Sequence, residues 1–438
     1  MIGGGLLSER YTQAEQSLMS PALIGTPTID RSPQRRAEDE LFLRLSTTIM
    51  TADNRRQVFS LAEHNIDWQR MVSLACAHGT FILVCQNLKD IAPELMGSVA
   101  ILQNLENQRA VVALKNRQLA EELLKISSDF GAHNIEIIPY KGPVLALQAY
   151  GALDVRPFVD LDIIVARSQV ADAQRLLFDF GYRPAPRTIG EVTMDLACSD
   201  IFQRLTFENT FVRPAQSRTQ PVCQIDVHWE VAPPHTLSFD FDFLLRNCIE
   251  IELCGQKIRS LKPELMLIVL CAHGTKHKWT EMKWIVDVVE LLRRNPELDW
   301  DEVYRIAARN RIAKKIDLAL LICVAAFGTE IPKTIAEKIQ KEGPLISLGA
   351  RIMRCWFFEV MVDNLRNSWR VEMLTSDSAL KCCTFLAHDL IQPSVPTYLK
   401  FPLPENLFPL YYFIHPALTV HNFIGARLRA GKPDNCKT

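Results

Sequence analysis

At 438 residues, 48% of them hydrophobic, the chain is long enough for two or three domains and can bury large apolar cores. Its 49 basic and 50 acidic residues leave a formal net charge of -1. That balance argues against broad, sequence-independent nucleic-acid binding, which needs a basic surface, but it leaves room for a small basic cleft.

The opening segment, MIGGGLLSERYTQAEQ, lacks a basic stretch followed by an apolar one, so no secretory signal is expected. Residues 1–36, rich in Gly, Ser, Thr, Pro and Arg, read as a mobile leader. Residues 37–130 read as an N-terminal helical subdomain. There Trp68, Met71, Val72, Ala75 and Cys76 recur at helical spacing. Further on, Leu119, Leu123, Ile126 and Phe130 share one helix face, and Gly131 suits the position just past the helix end.

The texture changes at Ile135. IEIIPYKG is a short apolar strand running into a turn, PVLALQAYG a short helix with Pro143 near its start and Gly151 after its end, and VDLDIIVA a second strand. SQVADAQRLLFDFGY follows as a helix with Ser168 as N-cap and Gly181 past its C-terminus, and VCQIDVHWEV as a third strand. Strand, helix, strand, helix, strand over 131–260 implies an α+β core, a small mixed sheet covered by helices. Residues 261–438 read as a C-terminal helical subdomain and tail, with Pro409 and Pro416 expected to break any long helix near the end. The longest apolar run, Leu318 to Phe327, is about half of the roughly 20 residues that span a bilayer, so no transmembrane segment and a cytoplasmic protein are expected. The 12 cysteines are scattered without a Cys-x-x-Cys pair, the usage of reduced thiols serving as small apolar residues.

The chemistry concentrates in RPFVDLDIIV. Side chains alternate across a strand, so Asp160 and Asp162 point to one face, about 6–7 Å apart. Two carboxylates so close repel unless a cation joins them, and hard divalent ions such as Mg²⁺ take oxygen ligands while keeping waters and phosphate oxygens. Asp226, in QIDVHWE, is a third strand-borne carboxylate, and His228 points the same way two residues on. If the two strands are neighbours, the three acids, Asp160, Asp162 and Asp226, converge as metal ligands and catalytic groups, with Asp226 able to take a proton from an attacking hydroxyl. Upstream, Lys141 and Gly142 sit where a strand turns into a helix, a setting in which the backbone can approach phosphate. Arg156 is a candidate phosphate contact or a brace for the carboxylates. In CAHGTKHKWTEMKW, His273 and His277 share a helix face at a spacing that can hold zinc, with no third ligand in view. Lys276 and His277 suit contact with a triphosphate or an acceptor.

This order of Lys-Gly, Arg-Pro-x-x-Asp-x-Asp and Asp-x-His-Trp resembles the uncharacterised nucleotidyltransferases of the polymerase-β-like superfamily. The likeness extends over about residues 40 to 300. It implies a nucleotidyltransferase core and Mg²⁺ or Mn²⁺ held by Asp160, Asp162 and Asp226. It also implies a nucleoside triphosphate such as ATP as substrate; Lys141, Gly142, Arg156, Lys276 and His277 are the candidates to hold it. The pattern departs from the family at Pro143, which replaces the usual Ser or Gly and removes one N–H donor. Two other readings stay open on the residues: a two-metal phosphohydrolase, and a degenerate nucleotide-binding scaffold without catalysis. The near-neutral charge favours a small molecule or a protein over RNA as acceptor.

Overall fold

A computed structural model describes residues 36–185, 192–214, 222–357 and 369–430. The leader expected over residues 1–36 lies, up to residue 35, outside the described residues. The chain divides into two compact units. The first takes the chain through Ser127, then Ile138–Leu161 and Leu244–Asp377; the second takes Ser128–Ile137, Asp162–Phe243 and the chain from Ser378.

The first unit is mainly helical. Thr51 and Asp67 cap the helices Ala52–Ala62 and Trp68–Ala77 by accepting the backbone N–H three residues on, which satisfies donors that a helix start leaves open. Met71, Val72 and Ala75 are buried as their spacing implies, whereas Cys76 is exposed. Leu119, Leu123, Ile126 and Phe130 are all buried on the long helix Ala100–Ala132. Two later helices are apolar nearly all round and lie deep: Pro263–Lys276 buries every residue from Leu265 to Ala272, and Ala313–Phe327 buries Lys315 to Cys323. An all-round apolar helix belongs in a core. This unit also holds a hairpin of β6 (Cys248–Leu253) and β7 (Gln256–Leu261), joined by Cys254 and Gly255, both at positive φ. Two such residues make the mirror-image turn whose twist matches that of paired strands.

The main sheet has five strands: β1 (Ile137–Pro139), β2 (Asp160–Val165), β3 (Arg183–Pro184), β4 (Glu208–Arg213) and β5 (Cys223–His228), in spatial order β1-β2-β5-β4-β3. Strands β3, β4 and β5 run antiparallel, with Thr210 opposite Asp226 and Glu208 opposite His228. The sequence reading anticipated β1, β2 and β5; β3, β4 and the β6–β7 hairpin are additions. On β5 the buried residues Cys223, Ile225 and Val227 alternate with Gln224, Asp226 and His228. On this strand one face is thus apolar and the other carries the polar groups.

Three local expectations change. Gly131 lies inside the long helix, and the left-handed residue beyond its end is Asn134, with the N–H of Ile135 returning to the carbonyl of Phe130. Asparagine is the usual second choice after glycine there, because its short polar side chain tolerates that conformation. Ser168 does not cap the next helix but sits in a tight turn, Arg167–Gln169, ahead of Val170–Asp179, while Gly181 does end that helix at φ +86°. Pro416 does not stop the final helix, which runs Tyr411–Ala430 after a short turn of helix at Glu405–Leu410 that contains Pro409. Tertiary packing anchors that helix start: Tyr411 and Phe408 are buried against Ile201 in the second unit. A fully buried aromatic contributes enough to outweigh one lost backbone bond. Among the described residues, no helix is long and apolar enough to cross a membrane.

Candidate functional site

In the second unit, strand order does what sequence alone left conditional: β2 and β5 are hydrogen-bonded neighbours. Asp162 on β2 and Asp226 and His228 on β5 each offer one donor atom, and these atoms lie within 4.8 Å of one another. Among the described residues this is the one group of three or more acidic, histidine or cysteine side chains so placed. Asp162 is 5% exposed and His228 3%, while Asp226 is half-buried. Two acids side by side, one of them buried, repel each other when ionised, and a divalent cation offsets that repulsion. Two carboxylates and an imidazole, converging from two adjacent strands, fit such an ion.

The histidine is tied on both sides. Its Nε2 is hydrogen-bonded to Oδ1 of Asp162 at 3.1 Å, and its Nδ1 lies 3.2 Å from Oε2 of Glu208, a contact outside good hydrogen-bond alignment. Gln224, two residues before Asp226, donates its amide to Asp226 Oδ1 at 3.3 Å. Asp160, two positions before Asp162 on β2, is not among the three clustered donors. His228 was visible in sequence as sharing a face with Asp226. Glu208 had no such signal, because its strand went unread.

In the first unit, Lys141 precedes the turn as an extended residue, and Gly142 opens the helix at φ +54°. A Cβ on Gly142 would stand 3.0 Å from the backbone carbonyl of Asp160, so both conformation and space call for glycine. Pro143 lies in the first turn, and the helix continues through a wider π-type turn, Ala146–Tyr150, to Gly151 at φ +78°. The Lys141 ammonium stands 4.8 Å from the centre of the Tyr140 ring.

Arg156 pairs with Asp287. Its Nε and guanidinium Nη2 donate to the two oxygens of Asp287 at 2.7 and 2.9 Å, and the Tyr150 hydroxyl donates to the same carboxylate at 2.8 Å. Asp287 is 1% exposed. Burial alone would lower the Arg156 pKa, but the paired charge of Asp287, helped more weakly by Asp160, carries it above its ordinary value.

Lys276 and His277 end the helix Pro263–Lys276. The imidazoles of His273 and His277 lie 4.5 Å apart, and the Trp284 ring lies 4.8 Å from that of His277, tilted by 33°. The shared face is as expected, but among the described residues the pair has no third metal donor. Burial lowers the His277 pKa to about 4, and the positive charges of Lys276, Lys141, Lys278 and Lys283 push it the same way. Four lysines therefore raise the local potential at this ring. The turn after it is unusual: Lys278 and Trp279 both adopt positive φ. Such backbone is costly for bulky residues and persists where packing dictates it, here by burying Trp279 completely.

Comparison with known proteins adds the family. The model of the uncharacterised nucleotidyltransferase family matches residues 64–328, a span that contains Lys141, Gly142, Asp160, Asp162, Asp226 and His277. The crystal structure of an antigenic nucleotidyltransferase-like protein from Paracoccidioides brasiliensis is similar over 50% of this chain and 96% of its own, at 15% identity and a TM-score of 0.30. No curated protein matches the chain. With its family model spanning more than half of its length, the chain belongs to the uncharacterised nucleotidyltransferases.

Proposed function

We propose that the protein is a cytoplasmic, divalent-metal-dependent enzyme that moves a nucleoside monophosphate from a nucleoside triphosphate to an acceptor hydroxyl. The acceptor oxygen bonds to the α-phosphorus, the bond from that phosphorus to the β-bridging oxygen breaks, and pyrophosphate leaves. The observation that carries this reading is the convergence of Asp162, Asp226 and His228 on neighbouring strands of a chain from this family.

Asp162 and Asp226 hold Mg²⁺ or Mn²⁺ in this reading, and Asp160 joins them from the same strand. The cation, when bound, neutralises charge on the phosphates and acidifies the attacking hydroxyl. The half-buried carboxylate of Asp226 accepts the hydroxyl proton. Gly142 lets the turn backbone come close to phosphate oxygens, and Lys141, Lys276 and neutral His277 supply donors to them. Arg156 acts at one remove, by fixing the loop before β2 against Asp287. Much of the rate enhancement then comes from positioning and charge, as in other phosphoryl transfers. The core over 131–260 would carry the chemistry. The net charge of -1 favours a small molecule or a protein as acceptor.

The test is transfer of label from each α-labelled nucleoside triphosphate with Mg²⁺ or Mn²⁺, scored on the protein itself and on added small-molecule and protein acceptors. Wild type should transfer label and release pyrophosphate, and Asp162→Asn should lose at least about a hundredfold of that rate. Equal labelling by the variant would rule out the metal assignment. Release of inorganic phosphate without any acceptor would point to a hydrolase instead, and absence of nucleotide binding to a scaffold.

A further inference from the structure

We propose that the metal centre includes one nitrogen ligand, Nε2 of His228, that Glu208 holds this imidazole in place, and that the centre therefore prefers Mn²⁺ to Mg²⁺. This rests on the metal reading above and adds a ligand, a positioning residue and a selectivity to it.

Three observations point the same way. First, Nε2 of His228 lies 3.1 Å from Oδ1 of Asp162. Two adjacent ligands of an octahedral ion at about 2.2 Å stand about 3.1 Å apart, so these atoms already have the separation of a coordinating pair. Second, the other ring nitrogen faces a carboxylate, with Nδ1 at 3.2 Å from Glu208 Oε2. Histidines that bind metals almost always direct the non-coordinating N–H to such a group, which fixes the tautomer and strengthens the ligand. With a metal bound, the proton that Nε2 directs at Asp162 is given up and the ring proton sits on Nδ1, facing Glu208, so that Nε2 becomes the lone-pair donor. Third, the placement is rigid. Glu208 and His228 are direct partners across β4 and β5. His228 is 3% exposed, with the Phe207 ring centred 6.5 Å away.

The donor set decides the ion. Mg²⁺ favours oxygen ligands and gives up its waters reluctantly, whereas first-row transition ions accept imidazole readily. A carboxylate site that also holds one imidazole therefore gains more from Mn²⁺ than from Mg²⁺.

The experiment uses the full chain and the metals alone. Calorimetric titration with MnCl₂ and MgCl₂ gives the affinities, and pulsed electron paramagnetic resonance of bound Mn²⁺ detects a directly coordinated nitrogen. Wild type should bind Mn²⁺ at least about tenfold more tightly than Mg²⁺ and show ¹⁴N modulation, which ¹⁵N-labelled histidine should replace with a ¹⁵N signal. His228→Gln should abolish the nitrogen signal and most of the preference. Glu208→Gln should keep the signal but weaken Mn²⁺ binding about 10–100-fold, the usual cost of losing such a support. Bound Mn²⁺ without a nitrogen signal in wild type overturns this proposal while leaving the carboxylate site intact. No Mn²⁺ or Mg²⁺ binding overturns the metal reading itself. If His228→Gln does not fold, the isotope substitution in wild type still decides the ligand.

Discussion

Arg156 grips both oxygens of Asp287, across 131 residues of chain, and Asp287 is almost wholly buried. Removing one partner of such a pair strands the other charge inside the protein. Arg156→Ala should therefore destabilise the protein by about 3–5 kcal/mol, while Arg156→Met combined with Asp287→Leu should recover much of the loss. Urea unfolding of wild type and the two variants measures this. An Arg156→Ala protein as stable as wild type but weak in nucleotide binding would return Arg156 to the phosphate site.

Gly142→Ala tests the turn. The new methyl group meets a backbone oxygen at 3.0 Å in a left-handed conformation, which costs about 1–2 kcal/mol. Thermal stability should fall by a few degrees, and nucleotide binding should fall further if Gly142 lines the phosphate site as proposed. Unchanged affinity for nucleoside triphosphate would reduce Gly142 to ordinary turn chemistry.

Gly274→Ala should be worse for the fold. Its methyl carbon would stand 2.2 Å from the buried Trp279 ring, so the indole must shift. Overpacking of this kind costs about 1–3 kcal/mol. Near-ultraviolet circular dichroism and denaturant midpoints report the change, and a midpoint equal to that of wild type would mean the helix–turn packing is looser than described.

The His277 imidazole sets a pH dependence. In the folded chain it titrates near pH 4, against 6.5 for the ordinary side chain. Between those values the unfolded chain binds more protons, so stability falls as pH drops from about 6.5 to about 4. His277→Gln should flatten part of that slope, the buried His78, whose pKa is also lowered, supplying more of it. Inorganic triphosphate bound beside Lys141, Lys276, Lys278 and Lys283 should raise the His277 pKa, readable by NMR titration. A pKa unmoved by saturating triphosphate would separate this lysine cluster from the phosphate site.

Much of the sheet was readable because β2 carries a buried apolar run after its acids and β5 alternates apolar and polar residues around Asp226. Strand β4 was not, because ENTFVR turns a polar residue, Asn209, into the interior at 2% exposure and so breaks the pattern. Glu208 was missed with it. The β6–β7 hairpin had a legible signal, alternation on both sides of Cys254-Gly255, that went unused. Pro416 misled for the opposite reason: a local rule against proline in helices was overridden by burial of Tyr411.

The amino-acid order alone settled which side chains share a face, since a strand repeats every two residues and needs no partner to do so. That put Asp226 beside His228 and Asp160 beside Asp162, and the motif order sufficed for the family. Only the tertiary structure decided which strands are neighbours and which distant residues meet. It brought Asp162 to His228 across 66 positions, set Glu208 opposite that histidine, and gave Arg156 to Asp287. Pairing of this kind depends on packing summed over the whole chain, and no short stretch of sequence contains that sum.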